Sequence, residues 1–348
     1  MKQSISLLDC TLRDGGQGLE FLNLSNIANP VFTESERSQI AKKITESDID
    51  IVELGCIVES MDDKSKFAIY QSVEEISKKI PEYHHEGQLF VGLFIGPDID
   101  INKIPEHREG LVDGLRVILR YSELQKSLDF CAALAQKGYK TFIQPMLTMR
   151  FSDSELEMLT KAANDMGAYA LYYVDSFGYM DVDDINRLYN FYDARLNPDI
   201  KIGFHAHNNM QLAYENVKSF LMHAGKGRDL IVDSCASGMG QGAGNMQTEL
   251  IVPYMNTNFG TNYELNRVLD VCDILEKFKS EETELWGYTP ARAVSAIHKA
   301  AYKYTVTMKT RLGMSLADIN DVFKVMSNEL KHRYTEENLK KALDLAKK

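Results

Sequence analysis

No cysteine pair at CxxC spacing, no apolar run long enough to cross a bilayer and no surplus of basic residues occur in this 348-residue chain, and each absence removes a class of protein. The five cysteines, Cys10, Cys56, Cys131, Cys235 and Cys272, are odd in number and scattered. They read as reduced thiols of a cytoplasmic protein, used for packing where they fall in apolar strands. One lysine precedes the first apolar stretch, so no secretory signal and no membrane span are expected. The 50 acidic residues exceed the 39 basic ones for a net charge of -11, which argues against a nucleic-acid or membrane partner. Glycine (22) and proline (8) are not in excess and no low-complexity segment occurs, so the chain is neither fibrous nor disordered.

What is present is apolar material, 44% of residues, enough for one large domain and a smaller appendage. Apolar runs at 6–12, 49–55, 89–96, 115–120, 141–146, 170–175, 200–207 and 230–235 read as eight strands. Helical periods alternate with them, among them 67–80, 122–137, 183–196 and 212–224. Thr33 with Glu36 marks one helix start and Ser152 or Asp153 another. The asparagine-rich stretch 18–30 reads as a loop that could cover a site. Eight alternations over roughly 260 residues predict an α/β fold, a (β/α)8 TIM barrel over residues 1–262. An open doubly wound sheet would want a glycine fingerprint after the first strand, and the spacing is wrong. From 263 to 348 only helices are predicted, forming a small helical C-terminal domain, with Trp286 as the anchor that docks it.

Polar residues gather where the predicted strands end: Arg13 and Asp14, Glu53, Arg120, Gln144, Asp175, His205 and His207, Ser237. That rim is where barrels place their chemistry. Residues i and i+2 of a strand face the same way, so His205 and His207 aim both imidazoles at one point. Asp14 on the same rim completes a set of one carboxylate and two imidazoles, which leaves a divalent cation with open positions. Mixed oxygen and nitrogen donors suit manganese foremost, with magnesium, cobalt or zinc as alternatives. Arg13 adds a fixed guanidinium beside the metal, able to hold a carboxylate or an enolate oxygen. The glycine-rich turn 238–245 could bind an anion through its amides, and Asn245 could reach the metal.

The motifs Thr11-Leu12-Arg13-Asp14-Gly15, His205-Ala206-His207-Asn208 and 238–245 together resemble the metal-dependent TIM-barrel lyases and synthases related to hydroxymethylglutaryl-CoA lyase. The glycine turn is closest to that of 4-hydroxy-2-oxovalerate aldolase. The resemblance implies that Asp14, His205 and His207 hold the metal, that Arg13 stabilises an enolate and that Tyr288 closes over the substrate. It implies a lyase that cleaves a 4-hydroxy-2-oxo acid through a metal-bound, pyruvate-type enolate, releasing an aldehyde. A homodimer, and a partner enzyme on the C-terminal helices, are implied in the same way. One departure stands out: Gln17 occupies the position of the aldolases' catalytic histidine, as it does in the synthases. An amide cannot accept a proton near neutral pH. Glu53, Asp175, Tyr288 or metal-bound hydroxide remain as bases, and Glu53 and Asp175 also as metal or substrate contacts. The alternatives are a Claisen-type acyltransferase joining an acyl-CoA to a 2-oxo acid, or a binding subunit that has lost catalysis.

Overall fold

The computed structural model describes residues 4–26, 28–223, 227–280 and 283–347. Ile27 of the expected loop, Ala224 at an expected helix end, Glu281 and Glu282 of the link before Trp286, and Lys348 lie outside the described residues. Eight parallel strands form a closed ring: β1 (Ile5–Asp9), β2 (Ile51–Ile57), β3 (Leu89–Phe94), β4 (Gly114–Leu119), β5 (Lys140–Pro145), β6 (Ala170–Asp175), β7 (Lys201–Ala206) and β8 (Leu230–Ser234). The ring closes because β1 pairs with β2 at Leu8↔Ile51 and with β8 at Leu8↔Asp233. The predicted TIM barrel is therefore present, and its continuous apolar strands are those of a parallel sheet covered on both faces.

Alternation along the strands divides the core in two. Leu8, Ile51, Val91, Phe142, Tyr172 and Ile231 fill the barrel's interior as one cluster. Their neighbours, among them Leu7, Val52, Leu115, Ile143 and Val232, belong to a larger cluster with the surrounding helices. Helix α1 (Thr11–Leu24) follows β1 at once, and α2 (Glu34–Glu46) starts at Thr33, whose side chain accepts from the Glu36 amide while Glu36 accepts from the Thr33 amide. The same box, Ser152 with Glu155, opens a later helix at Asp153–Met166.

Three expectations are corrected. The loop expected at 18–30 begins only after helix α1, which runs to Leu24 and in which the glycines permit close packing. A Cβ on Gly16 would stand 1.9 Å from the Phe67 carbonyl oxygen, and one on Gly15 would stand 2.7 Å from the Met239 sulfur. The segment 67–80 holds only a two-residue strand, Ile69–Tyr70, and the five-residue helix α3 (Val73–Ser77). The crossover from β3 to β4 has no α-helix at all, only a 3-10 turn at Ile101–Lys103; Pro97 and Pro105 interrupt it.

The remaining helices are α4 (Leu124–Gln136), α5 (Asp153–Met166), α6 (Val182–Asp193), α7 (Ala213–His223), α8 (Thr248–Phe259), α9 (Leu265–Leu275), α10 (Pro290–Ile297), α11 (Tyr302–Thr310), α12 (Leu316–Val325), α13 (Asn328–His332) and α14 (Glu336–Ala346). Val268, Val271 and Leu275 of α9 pack in the barrel's outer cluster with Trp286. A separate cluster of Ala300, Tyr304, Met308, Ile319, Phe323 and Leu339 organises the last helices. We place the boundary of the C-terminal unit between the two clusters. Trp286 donates from its indole nitrogen to the Ser237 carbonyl at 2.8 Å, tying the link to the loop after β8.

Candidate active site

Asp14 sits in the first turn of α1, directly above the end of β1, with its amide bonded to the Cys10 carbonyl. His205 is in β7 and His207 lies one residue beyond its end, so strand geometry turns both rings toward the barrel axis. Their Nε2 atoms each lie 3.8 Å from Asp14 Oδ2, and the ring centroids are 4.9 Å apart. The opposite nitrogens are anchored. Nδ1 of His205 is 2.9 Å from the Asp233 carboxylate, and Nδ1 of His207 is 3.0 Å from the Asp175 carbonyl. Carboxylate and carbonyl can only accept, so each Nδ1 carries a hydrogen and each Nε2 is presented to Asp14.

This set fits a divalent metal. One donor atom from each of Asp14, His205 and His207 lies within 4.8 Å of the others, and Asn245 Oδ1 is buried without a hydrogen-bond partner. Burial pushes the Asp14 carboxyl up, but Arg13, then His207 and His205, outweigh it and hold it at about 2. Burial pulls His205 down, yet the Asp233 hydrogen bond and Cys10 raise it to about 9. A cation binding at its Nε2 therefore competes with a proton. His207, buried and facing His205, is lowered to about 4.

Beneath the site runs a chain of buried ions. Arg13 contacts Asp14 through Nη1 at 2.9 Å and Glu53 through Nε at 2.7 Å. Glu53 also receives Arg116 at 2.8 Å, Arg116 donates to Asp233, and Asp233 holds His205. Tyr172 donates to the other Asp233 oxygen at 3.0 Å, and the Arg116 guanidinium lies 5.0 Å from the Tyr172 ring centre. Arg116, Asp233 and Tyr172 were not singled out from sequence. Their signal was present all the same: a lone charge inside a run as apolar as 230–235 must be paired when buried.

A cavity of about 350 Å³ opens above this rim. Arg13, Asp14, Gln17, His205 and His207 line it, with Leu93, Ile95, Ile118, Met146 and Val174 as its apolar wall. Gln144 also lines it, buried, with Nε2 unpartnered. Ala301, Tyr302, Lys303, His332, Arg333 and Tyr334 of the C-terminal unit form the roof. Gln17 does not face the cavity as a free amide, since its oxygen accepts from Arg13 at 3.2 Å.

Three expected contacts lie elsewhere. Glu53 is buried under Arg13 and is absent from the cavity wall. The Asp175 carboxylate accepts from the Tyr179 and Met180 amides at 3.0 and 3.1 Å, closing its own loop, and burial raises it to about 7. Tyr288 is 51% exposed and does not line the cavity. Its link is held by Trp286 instead, and the tyrosines in the roof are Tyr334 and Tyr302, the latter packed edge-on against Phe21 and reaching Gln241.

The second half of the glycine turn is tied to the protein itself. The Ala243, Gly244 and Asn245 amides donate to Asn209, Gln241 and Gly238 of the protein itself. A Cβ on Gly240 would stand 2.2 Å from Asn245 Nδ2 and 2.9 Å from Asp14 Oδ2. The absent side chain is what lets Asn245 donate to Asp14.

Residues 119–277 match the HMGL-like family model. The chain is 25% identical over 276 residues to a 4-hydroxy-2-oxovalerate aldolase of Geobacillus genomosp. 3, covering 79% of this chain and 77% of that protein. It is 26% identical over 268 residues to an oxaloacetate decarboxylase of Mycobacterium tuberculosis, covering 76% and 74%. In fold it resembles the carboxyl transferase domain of Rhizobium etli pyruvate carboxylase, solved with pyruvate, with a TM-score of 0.67, 15% identity and coverage of 99% of this chain and 60% of that one.

Proposed function

We propose that this protein is a divalent-metal-dependent aldolase of the HMGL-like type, acting on a 4-hydroxy-2-oxo acid. The observation that carries this reading is the convergence of the His205 and His207 Nε2 atoms on Asp14, with the Arg13 guanidinium alongside. Asp14, His205 and His207 would hold the metal, with Asn245 Oδ1 as a further oxygen donor. When bound, a divalent ion supplies Lewis acidity to the carboxylate and keto oxygens of the substrate, manganese being our choice of ion.

Arg13 is fixed from behind by Glu53, so its guanidinium meets negative charge growing on the keto oxygen without having to reorganise. Gln17 keeps the Arg13 fork turned that way and accepts no proton itself. Gln144 Nε2 offers a donor to a substrate oxygen. Tyr302, whose hydroxyl is held protonated because burial pushes its pKa up, is a second donor from the roof. In cleavage the 4-hydroxyl gives its proton to solvent at the cavity mouth and becomes an aldehyde carbonyl as the C3–C4 bond breaks. The electron pair of that bond forms the C2–C3 enolate, and a proton delivered to C3 yields pyruvate or a homologue. The apolar wall, Leu93, Ile95, Ile118 and Met146, excludes water from the enolate.

The test is deuterium uptake by pyruvate, which needs no choice of aldehyde. With the purified protein and a divalent ion, the methyl group should exchange with deuterated buffer, and the exchange should vanish in His205→Ala. Equal exchange in wild type and variant would overturn the site, and no exchange in the wild type would overturn the enolisation reading.

A further inference from the structure

The cavity's charge runs against that of the chain. A protein with a net charge of -11 lines this space with Arg13, Arg120, Lys303 and Arg333 against the single carboxylate of Asp14 among the described residues. Two of the four cations are already neutralised. Arg13 is bound by Asp14 and Glu53, and Arg120 is bound by Asp98 and by Glu123 at 3.2 Å. Lys303 and Arg333 make no ion pair among the described residues.

Lys303 is placed by packing and not by an anion. Its Nζ lies 4.6 Å from the centre of the Phe21 ring, and the carboxylate one residue along, Glu20, is taken by Lys64 at 2.8 Å. Burial lowers its pKa, and the nearby Glu20 offsets that only in part. Arg333 belongs to the same roof: the Lys331 carbonyl accepts from the Ala301 amide at 2.9 Å, and the Arg333 carbonyl accepts from the Tyr304 hydroxyl at 2.9 Å.

Lys303 and Arg333 share one cavity with Asp14 and Arg13, so a 2-oxo acid held at Asp14 and Arg13 through its first carbons directs its far end toward that roof.

We infer that this site takes a dianionic substrate, a 4-hydroxy-2-oxo acid whose far end carries a second anionic group received by Lys303 and Arg333. The inference rests on the aldolase reading above and narrows its substrate class. An uncompensated ammonium in a half-buried cavity gains a charge-assisted contact from such a group, and a methyl-ended substrate offers none.

The experiment compares pyruvate release, followed with lactate dehydrogenase, from 4-hydroxy-2-oxopentanoate, 4-hydroxy-2-oxoglutarate and 2-keto-3-deoxy-6-phosphogluconate. The wild type should favour a dianionic substrate in kcat/KM by at least about tenfold, the strength of one charge-assisted hydrogen bond. Whichever of the two it favours tells a carboxylate from a phosphate. Lys303→Gln should erase most of the preference, Lys303→Glu should invert it, and Lys303→Arg should restore it. Equal kcat/KM for all three substrates, in a wild type that exchanges pyruvate deuterium, would overturn this inference alone. A preference that survives Lys303→Glu would do the same. Absence of pyruvate exchange would overturn the aldolase reading and this inference with it.

Discussion

The Nδ1 nitrogen of His205 lies 2.9 Å from the Asp233 carboxylate, while its Nε2 faces Asp14 at 3.8 Å. The ring is therefore oriented from the barrel interior, by a residue that does not itself line the cavity.

Asp233→Asn is expected to weaken divalent-metal affinity about 10–100-fold, the usual effect of removing a carboxylate behind a ligating histidine. It should also lower the pKa of His205, because the hydrogen bond that offsets burial is weakened. Isothermal titration calorimetry with manganese reads the first effect. An unchanged affinity would mean that His205 is oriented without Asp233.

Arg116 is wholly buried between Glu53 and Asp233 and stays charged, its pKa raised despite the burial that pulls it down. Arg116→Met would leave two buried carboxylates without their shared partner. The expected cost is about 3–5 kcal/mol of folding stability, measured as a fall in the urea midpoint. A loss below about 1 kcal/mol would show that the two carboxylates take up protons or water at little cost.

Asp9, buried under α8, is raised from 3.8 to about 7, with burial as the main cause against hydrogen bonds from Thr11 and Thr248. A carboxyl that binds its proton more tightly in the folded chain than in the unfolded one makes stability fall as pH rises from about 4 to about 7. Asp9→Asn should flatten that slope. Denaturation midpoints of both proteins at about pH 5 and about pH 8 would check it, and parallel slopes would refute it.

The strand ends carried most of what could be read from the sequence. Asp14, His205 and His207 were legible because period-two geometry and a barrel rim are rules of local covalent structure, independent of packing detail. Helix α1 was misread because Gly15, Gly16 and Gly18 look like turn residues, and only the nearness of Phe67, Met239 and Gly240 explains them. The Arg13–Glu53–Arg116–Asp233–His205 chain was missed for a related reason: which buried charges meet depends on sheet register across five strands or their ends. Tyr288 was the candidate the family resemblance matched, and the local segment cannot say that the α10–α11 pair turns Tyr302 toward the barrel mouth. The absent third crossover helix was masked by counting, since the apolar strands on either side of it are regular.

The barrel's closure has a consequence for synthesis. Because β1 pairs with both β2 and β8, the ring closes, and Asp14 is gripped by Asn245, only after the last barrel strand has been made. A nascent chain with seven strands made holds His205 without Asp233, and Asn245, which grips Asp14, is still to come. The site is thus incomplete on the ribosome until the polypeptide has grown past the glycine turn, and the roof residues Tyr302, Lys303 and Arg333 arrive later still.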